Sequence, residues 1–195
     1  MKEPKLICII GAECSGKTTL ARELAAHFDC PWVPEYLRTF CDTRARTPTR
    51  GEQAQLLEAQ RAGELAAQMS ATQQRKQFVF CDTAPLLTAI YSDYIFGDKS
   101  LYAHARALHS NYILTLLLAS DIAWQADGLQ RDGAQVRAPV TQLIESELAT
   151  LALPLTRVAG HAQARIAAAL EAITALGGLG AEPSALPTTT HRFGL

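Results

Sequence analysis

Apolar positions along this chain fall into two patterns: short unbroken apolar runs, and longer stretches with hydrophobic residues three and four apart. The runs at residues 6–10, 32–33, 78–81, 112–118 and 155–158 read as strands, and their lack of alternation suits strands covered on both faces. Helical spacing covers residues 17–28, where Leu20, Leu24 and Phe28 share a face, and also 85–95, 101–109, 139–151 and 162–176. Thr49-Arg50-Gly51-Glu52 has the form of a capping box, and it opens a long helix whose face is marked by Leu56, Leu57, Gln60, Leu65 and Met69. The polar stretch 39–50, with three arginines, reads as a loop. Strand and helix therefore alternate, which predicts an α/β fold with a five-stranded parallel sheet flanked by helices. Gly177-Gly178 is placed to end the last helix, giving one domain over residues 1–178 and a flexible C-terminal tail over 179–195.

Composition narrows the classes. At 195 residues and 48% hydrophobic the chain suits one domain with a substantial core, and a formal net charge of −1 argues against a broad basic surface for nucleic acid or anionic membrane. The five cysteines, Cys8, Cys14, Cys30, Cys41 and Cys81, are odd in number and scattered, which predicts reduced thiols in a cytoplasmic protein and no structural metal. No apolar stretch approaches the ~18 residues expected of a membrane span. The apolar run 86–90 suits either core or a homo-oligomer interface.

The chemistry is concentrated at four places. The first is Gly11-Ala12-Glu13-Cys14-Ser15-Gly16-Lys17-Thr18-Thr19, directly after the first strand and opening the first helix. Gly-x4-Gly-Lys-Thr lets a loop wrap a phosphate chain with backbone N–H groups turned inward; Lys17 would reach the β- and γ-phosphates and Thr18 would ligate Mg²⁺. This predicts a P-loop nucleotide site. The second is Asp82, ending the strand 78–81, where a carboxylate lies beside the metal or touches the phosphoryl acceptor; Thr83 is placed to fix it by a hydrogen bond.

The third is Pro34-Glu35-Tyr36-Leu37-Arg38, after the short second strand, at the carboxyl edge where open α/β sheets bind ligands. Glu35 there either takes a proton from a sugar hydroxyl or forms a surface pair with Arg38. The fourth is residues 121–137, a glycine-punctuated segment that reads as a lid in which Arg131 and Arg137 close on the transferring phosphoryl group. Its Trp124 is either a stacking platform for an aromatic ligand or a core anchor of the loop. Gly160, after the last strand, is a candidate backbone contact for adenine, and Arg165 faces either nucleotide or solvent. Cys14 reads as a packing residue.

Taken together these residues resemble a known family, the ribosylnicotinamide kinase domain of the bifunctional NadR-type regulators and the stand-alone AAA-like ATPases grouped with it. The resemblance runs from Ile7 to about Arg165 and rests on residues 11–19, Glu35-Tyr36-Leu37-Arg38, Cys81-Asp82-Thr83 and Trp124-Gln125-Ala126-Asp127-Gly128. It implies a P-loop NTPase fold of the nucleoside- and nucleotide-kinase kind, ATP and Mg²⁺ as donor and metal, and phosphorylation of the 5′-hydroxyl of nicotinamide riboside, a step of NAD salvage. It also implies that Gly11, Gly16, Lys17, Thr18 and Thr19 hold ATP and the metal, that Glu35 and Asp82 share the hydroxyl and metal contacts, that Trp124 stacks on nicotinamide with Asp127 supporting it, and that Arg131 and Arg137 are the lid cations. Two positions depart from the family pattern: Ala84 stands where Asp is frequent, and Gln130 where arginine is usual, with Arg131 one place later.

Two function classes follow. A small-molecule kinase, for nicotinamide riboside or another nucleoside or sugar, needs an acceptor pocket beside the phosphates. A nucleotide-switched binding protein needs only the phosphates and a partner surface; the Asn-Lys-x-Asp of a guanine switch is missing from the sequence.

Overall fold

In a computed structural model, residues 3–124 and 133–176 are described. The central strand β1 (Lys5–Ile10) is buried from Leu6 onward and pairs in parallel with β3 (Phe78–Asp82) on one side and β4 (Tyr112–Leu118) on the other. The edges are β2 (Trp32–Val33), beside β3, and β5 (Leu155–Val158), beside β4, giving the order β2-β3-β1-β4-β5. From β1 the chain runs through the helix after it on one face to the edge strand β2, then fills the place between with β3 and leaves it through the next helix on the other face, so the connections diverge at the carboxyl ends of β1 and β3. Such a switch point is where open α/β sheets hold ligands.

Alternate residues of β1 feed two cores. Leu6, Cys8 and Ile10 pack under α3 (Gln53–Gln73), α4 (Pro85–Phe96), α5 (Tyr102–His109) and α6 (Arg137–Leu151). Ile7 and Ile9 pack under α1 (Lys17–His27) and α7 (Gln163–Ala175). The two-sided cover explains why the strands read as continuous apolar runs. Residues 86, 87, 89 and 90 are core: Leu86, Ala89 and Ile90 are each 0% exposed within this chain.

Two expectations are corrected. The stretch 39–50 is half helix: α2 (Tyr36–Arg44) turns Phe40 and Cys41 inward against Leu56, with Tyr36 and Leu37 alongside. Its arginines hid that short apolar face. On α3 the buried face is Leu56, Leu57, Gln60, Glu64 and Ala71, whereas Leu65 and Met69 are 46% and 66% exposed. A carboxylate replaces leucine in the buried stripe because Glu64 accepts the Tyr112 hydroxyl at 2.5 Å and the Arg61 guanidinium at 3.3 Å. The capping box does form, with the Thr49 N–H donating to Glu52 Oε2 at 2.8 Å, though a 3₁₀ turn (Arg50–Glu52) comes before α3. The expected tail and the Gly177-Gly178 stop lie outside the described residues.

Candidate active site

The loop from β1 to α1 is built by two glycines with different reasons to be glycine. A Cβ on Gly11 would stand 2.7 Å from Ser15 Oγ and 3.0 Å from the Leu118 carbonyl, so close approach of the loop to β4 excludes any side chain. Gly16 caps α1 at φ 83°, a left-handed conformation that side chains resist. Cys14 also has positive φ, 51°, within the same tight wrap. Ala12, Glu13 and Ser15 are buried, and Thr19 is exposed in the first turn of α1. Lys17 folds over the loop, its Nζ donating to the carbonyls of Gly11 and Ala12 at 3.2 Å each.

Strand order brings Asp82 to this loop: Ile9 pairs with Asp82 across β1 and β3, and Thr18 Oγ1 donates to Asp82 Oδ2 at 2.5 Å. Asp82 is 1% exposed, and its Oδ1 has no hydrogen-bond partner among the described residues. Burial raises its pKa above the ordinary carboxylate value, against the pull of Lys17 and the Thr18 hydrogen bond. Thr83 does not fix this carboxylate: its Oγ1 is buried without a partner among the described residues, and its N–H goes to the Ile9 carbonyl at 2.9 Å. At φ 81° this β-branched residue is strained, a cost that concentrates at functional sites.

A cavity of about 1160 Å³ opens from the phosphate loop, with Glu35, Tyr36 and Arg38 among its lining. Glu35 sits at the N-terminus of α2, and burial raises its pKa, with Lys17 opposing and Asp82 adding to the rise. Two carboxyl groups and one ammonium thus share the loop end of the cavity. The other walls are Leu56 and Gln60 from α3 and Leu87, Tyr91 and Phe96 from α4. Gln60 Oε1 accepts the Tyr36 N–H at 2.8 Å, seating the first turn of α2 beside Glu35.

The segment after β4, expected to be a lid, contributes Ile122 and Ala123 to the cavity lining, but not Trp124, which is half-buried with its indole N–H unpartnered among the described residues. The tryptophan that does line the cavity is Trp32, with the Arg22 guanidinium 5.1 Å from its ring centroid. Sequence reasoning missed Trp32, although its place two residues before Pro34-Glu35, at the carboxyl end of a strand, was a usable signal. Arg137 opens α6 and donates to the Ile122 carbonyl at 3.0 Å, anchoring the base of the segment. Asp127 and Arg131 lie outside the described residues. Gly160, at φ 89°, gives its N–H to Asp121 Oδ2 at 2.6 Å, so that donor is already engaged. Arg165 is 5% exposed and turned inward, to neither solvent nor the cavity.

A family model described as an AAA domain matches residues 6–165, most of the chain and all four motif regions. The chain belongs to this AAA-domain family. No curated protein sequence matches it. Among solved structures, the fold is similar to NadR protein in complex with NR, at TM-score 0.76 and 19% identity, covering 93% of this chain and 53% of that one. It is also similar to NadR protein in complex with NAD and AMP-PNP, at 0.73 and 18%, covering 94% and 52%. Thymidylate kinase from Ehrlichia chaffeensis follows at 0.63 and 14%, covering 90% and 100%. This member of the AAA-domain family therefore has the fold of P-loop nucleotide kinases and spans about half the length of the NadR chains. Among the described residues no helix is long and apolar enough to cross a membrane.

Proposed function

We propose that this protein is an ATP-dependent small-molecule kinase, with the 5′-hydroxyl of nicotinamide riboside as the phosphoryl acceptor and nicotinamide mononucleotide as product, a step of NAD salvage in the cytoplasm. The observation that carries this reading is the single cavity shared by the phosphate loop, Asp82 and Glu35, large enough for an acceptor beside the phosphates. A nucleotide switch has no use for that space. The NadR structures with NR and with AMP-PNP support the choice of acceptor and donor.

In this reading the loop N–H groups and Lys17 bind the triphosphate. The acceptor hydroxyl attacks the γ-phosphorus, the bond from that phosphorus to the β,γ-bridging oxygen breaks, and ADP leaves. Glu35 receives the hydroxyl proton; its raised pKa makes it a better acceptor than an ordinary carboxylate. Asp82 and Thr18 would hold Mg²⁺. Their oxygens are adjacent hard donors, and Asp82 Oδ1 is a buried carboxylate oxygen still without a partner among the described residues, which fits a metal that takes one or two protein ligands plus phosphates and water. Bound there, Mg²⁺ neutralises charge on the phosphates. Trp32, Tyr36 and Tyr91 offer aromatic surface to the acceptor ring; Trp124 and Asp127 are the further candidates for that ring, and Arg131 and Arg137 the candidate cations for the transferring phosphoryl group.

The test is ADP release with Mg·ATP, comparing no acceptor, nicotinamide riboside, and a panel of nucleosides and sugars. Strong stimulation by the riboside with the mononucleotide as product is the expected result. Stimulation by a different nucleoside would keep the kinase and replace the acceptor, and slow release indifferent to every acceptor would replace the kinase with a switch.

A further inference from the structure

The guanidinium of Arg165 is the one buried arginine side chain in the described residues, and it joins three segments distant in sequence. Its Nε donates to the Gly160 carbonyl at 2.7 Å, in the β5–α7 loop. One terminal nitrogen donates to the carbonyl of Ser15, in the phosphate loop, and the other to the Ala119 carbonyl at 2.9 Å and to the Asp121 carboxylate, just after β4. Asp121 closes the ring by accepting the Gly160 N–H. No atom of Arg165 lines the cavity.

The bond to Ser15 has a consequence for phosphate binding. In a trans peptide the C=O and the following N–H point in opposite directions. Holding the Ser15 carbonyl on Arg165 therefore aims the Gly16 N–H away from α7. Gly16, at φ 83°, belongs to a residue type whose flanking peptides turn over most readily, so something outside the loop must choose the orientation. We infer that Arg165, braced by Asp121, is a positioning residue that fixes the Ser15–Gly16 peptide for nucleotide phosphates and ties that peptide to the chain just after β4. This rests on the nucleotide half of the proposed function and not on the identity of the acceptor.

The experiment measures the dissociation constant of Mg·MANT-ADP, the melting temperature without nucleotide, and the KM for Mg·ATP against that for acceptor, in wild type, Arg165→Lys, Asp121→Ala and the double variant. Asp121 is at the surface, so truncating it opens no core cavity, and the melting temperature shows for each variant whether it is folded. Arg165→Lys, which keeps the charge but not the planar fork, is expected to weaken MANT-ADP about tenfold or more, and Asp121→Ala about threefold to tenfold. The KM for Mg·ATP rises with them, acceptor KM stays, the Asp121 variant still melts cooperatively above the assay temperature though lower than wild type, and the double variant binds no more weakly than Arg165→Lys alone. Folded variants that bind MANT-ADP as wild type does would overturn the inference, as would a loss of affinity that merely tracks a loss of folded protein. Wild type that binds MANT-ADP but transfers phosphate to no acceptor would remove the kinase reading and leave this one standing.

Discussion

Thr18 and Asp82, 64 residues apart in sequence, meet through a 2.5 Å hydrogen bond from hydroxyl to carboxylate. The meeting depends on β3, not β2, lying next to β1, which sets the end of β3 against the first turn of α1. It also leaves one buried oxygen of Asp82, Oδ1, without a hydrogen-bond partner among the described residues, the position proposed for a metal. Asp82→Asn is nearly isosteric, and the amide can still accept the Thr18 hydroxyl, so melting should change little. Phosphoryl transfer should fall by about 100-fold or more, the scale on which preorganised electrostatic groups act. Acceptor-stimulated ADP release and a thermal melt on the same preparation check both halves.

Lys17 supplies charge to the loop and also crosses it, donating to Gly11 and Ala12. Lys17→Ala should weaken nucleotide binding by about tenfold or more and abolish turnover. Full ATP turnover in that variant would mean the phosphates bind elsewhere.

The raised pKa of Glu35 sets a pH dependence. A base works deprotonated, so kcat should rise with pH through the pKa of Glu35 and level above it. Because burial moves that pKa above the ordinary 4.5, the acid limb should lie higher than a free glutamate would give. Glu35→Gln should be slow at every pH and lack that limb. A pH–rate profile of wild type and variant decides whether Glu35 or Asp82 is the base.

Two tryptophans are candidates to stack on the proposed acceptor ring. Trp32 lines the cavity and Trp124 does not, so Trp32→Ala should raise acceptor KM by about threefold to tenfold with the KM for Mg·ATP unchanged. A rise confined to Trp124→Ala would return the stacking role to the lid segment.

His109 should govern acid stability. It is fully buried beside Tyr112, its Nε2 2.9 Å from Thr115 Oγ1, and burial lowers its pKa to about 4 from 6.5. Between those values the unfolded chain binds the proton and the folded chain does not, so stability is lost as pH falls from about 6.5 towards 4, by on the order of 3 kcal/mol from this group. His109→Gln should flatten that part of a urea-denaturation profile against pH, whatever it costs at neutral pH.

Much of this protein was legible in its sequence. The runs at 112–118 and 155–158 are strands with those bounds, and the phosphate loop, the capping box and the order of elements follow from local rules: apolar runs make strands, glycines permit tight wraps, and a Glu three residues past a Thr caps a helix. These are short-range effects, so neighbouring residues suffice to specify them. The short helix α2 and the buried Glu64 were not legible, because each depends on a partner far along the chain: Leu56 for Phe40 and Cys41, Tyr112 for Glu64.

The same division runs through the site. Sequence determined that Lys17 and Thr18 belong to a phosphate loop, that Asp82 ends a strand and that Glu35 comes two residues after one, both at the carboxyl edge. Only the tertiary structure decided that those two carboxyls share one cavity, that Trp32 lines it, and that Arg165 braces Ser15 from 150 residues away. The physical reason is that burial, and with it the raised pKa of Glu35 and Asp82, is a property of what surrounds a residue in space, and strand order sets those surroundings.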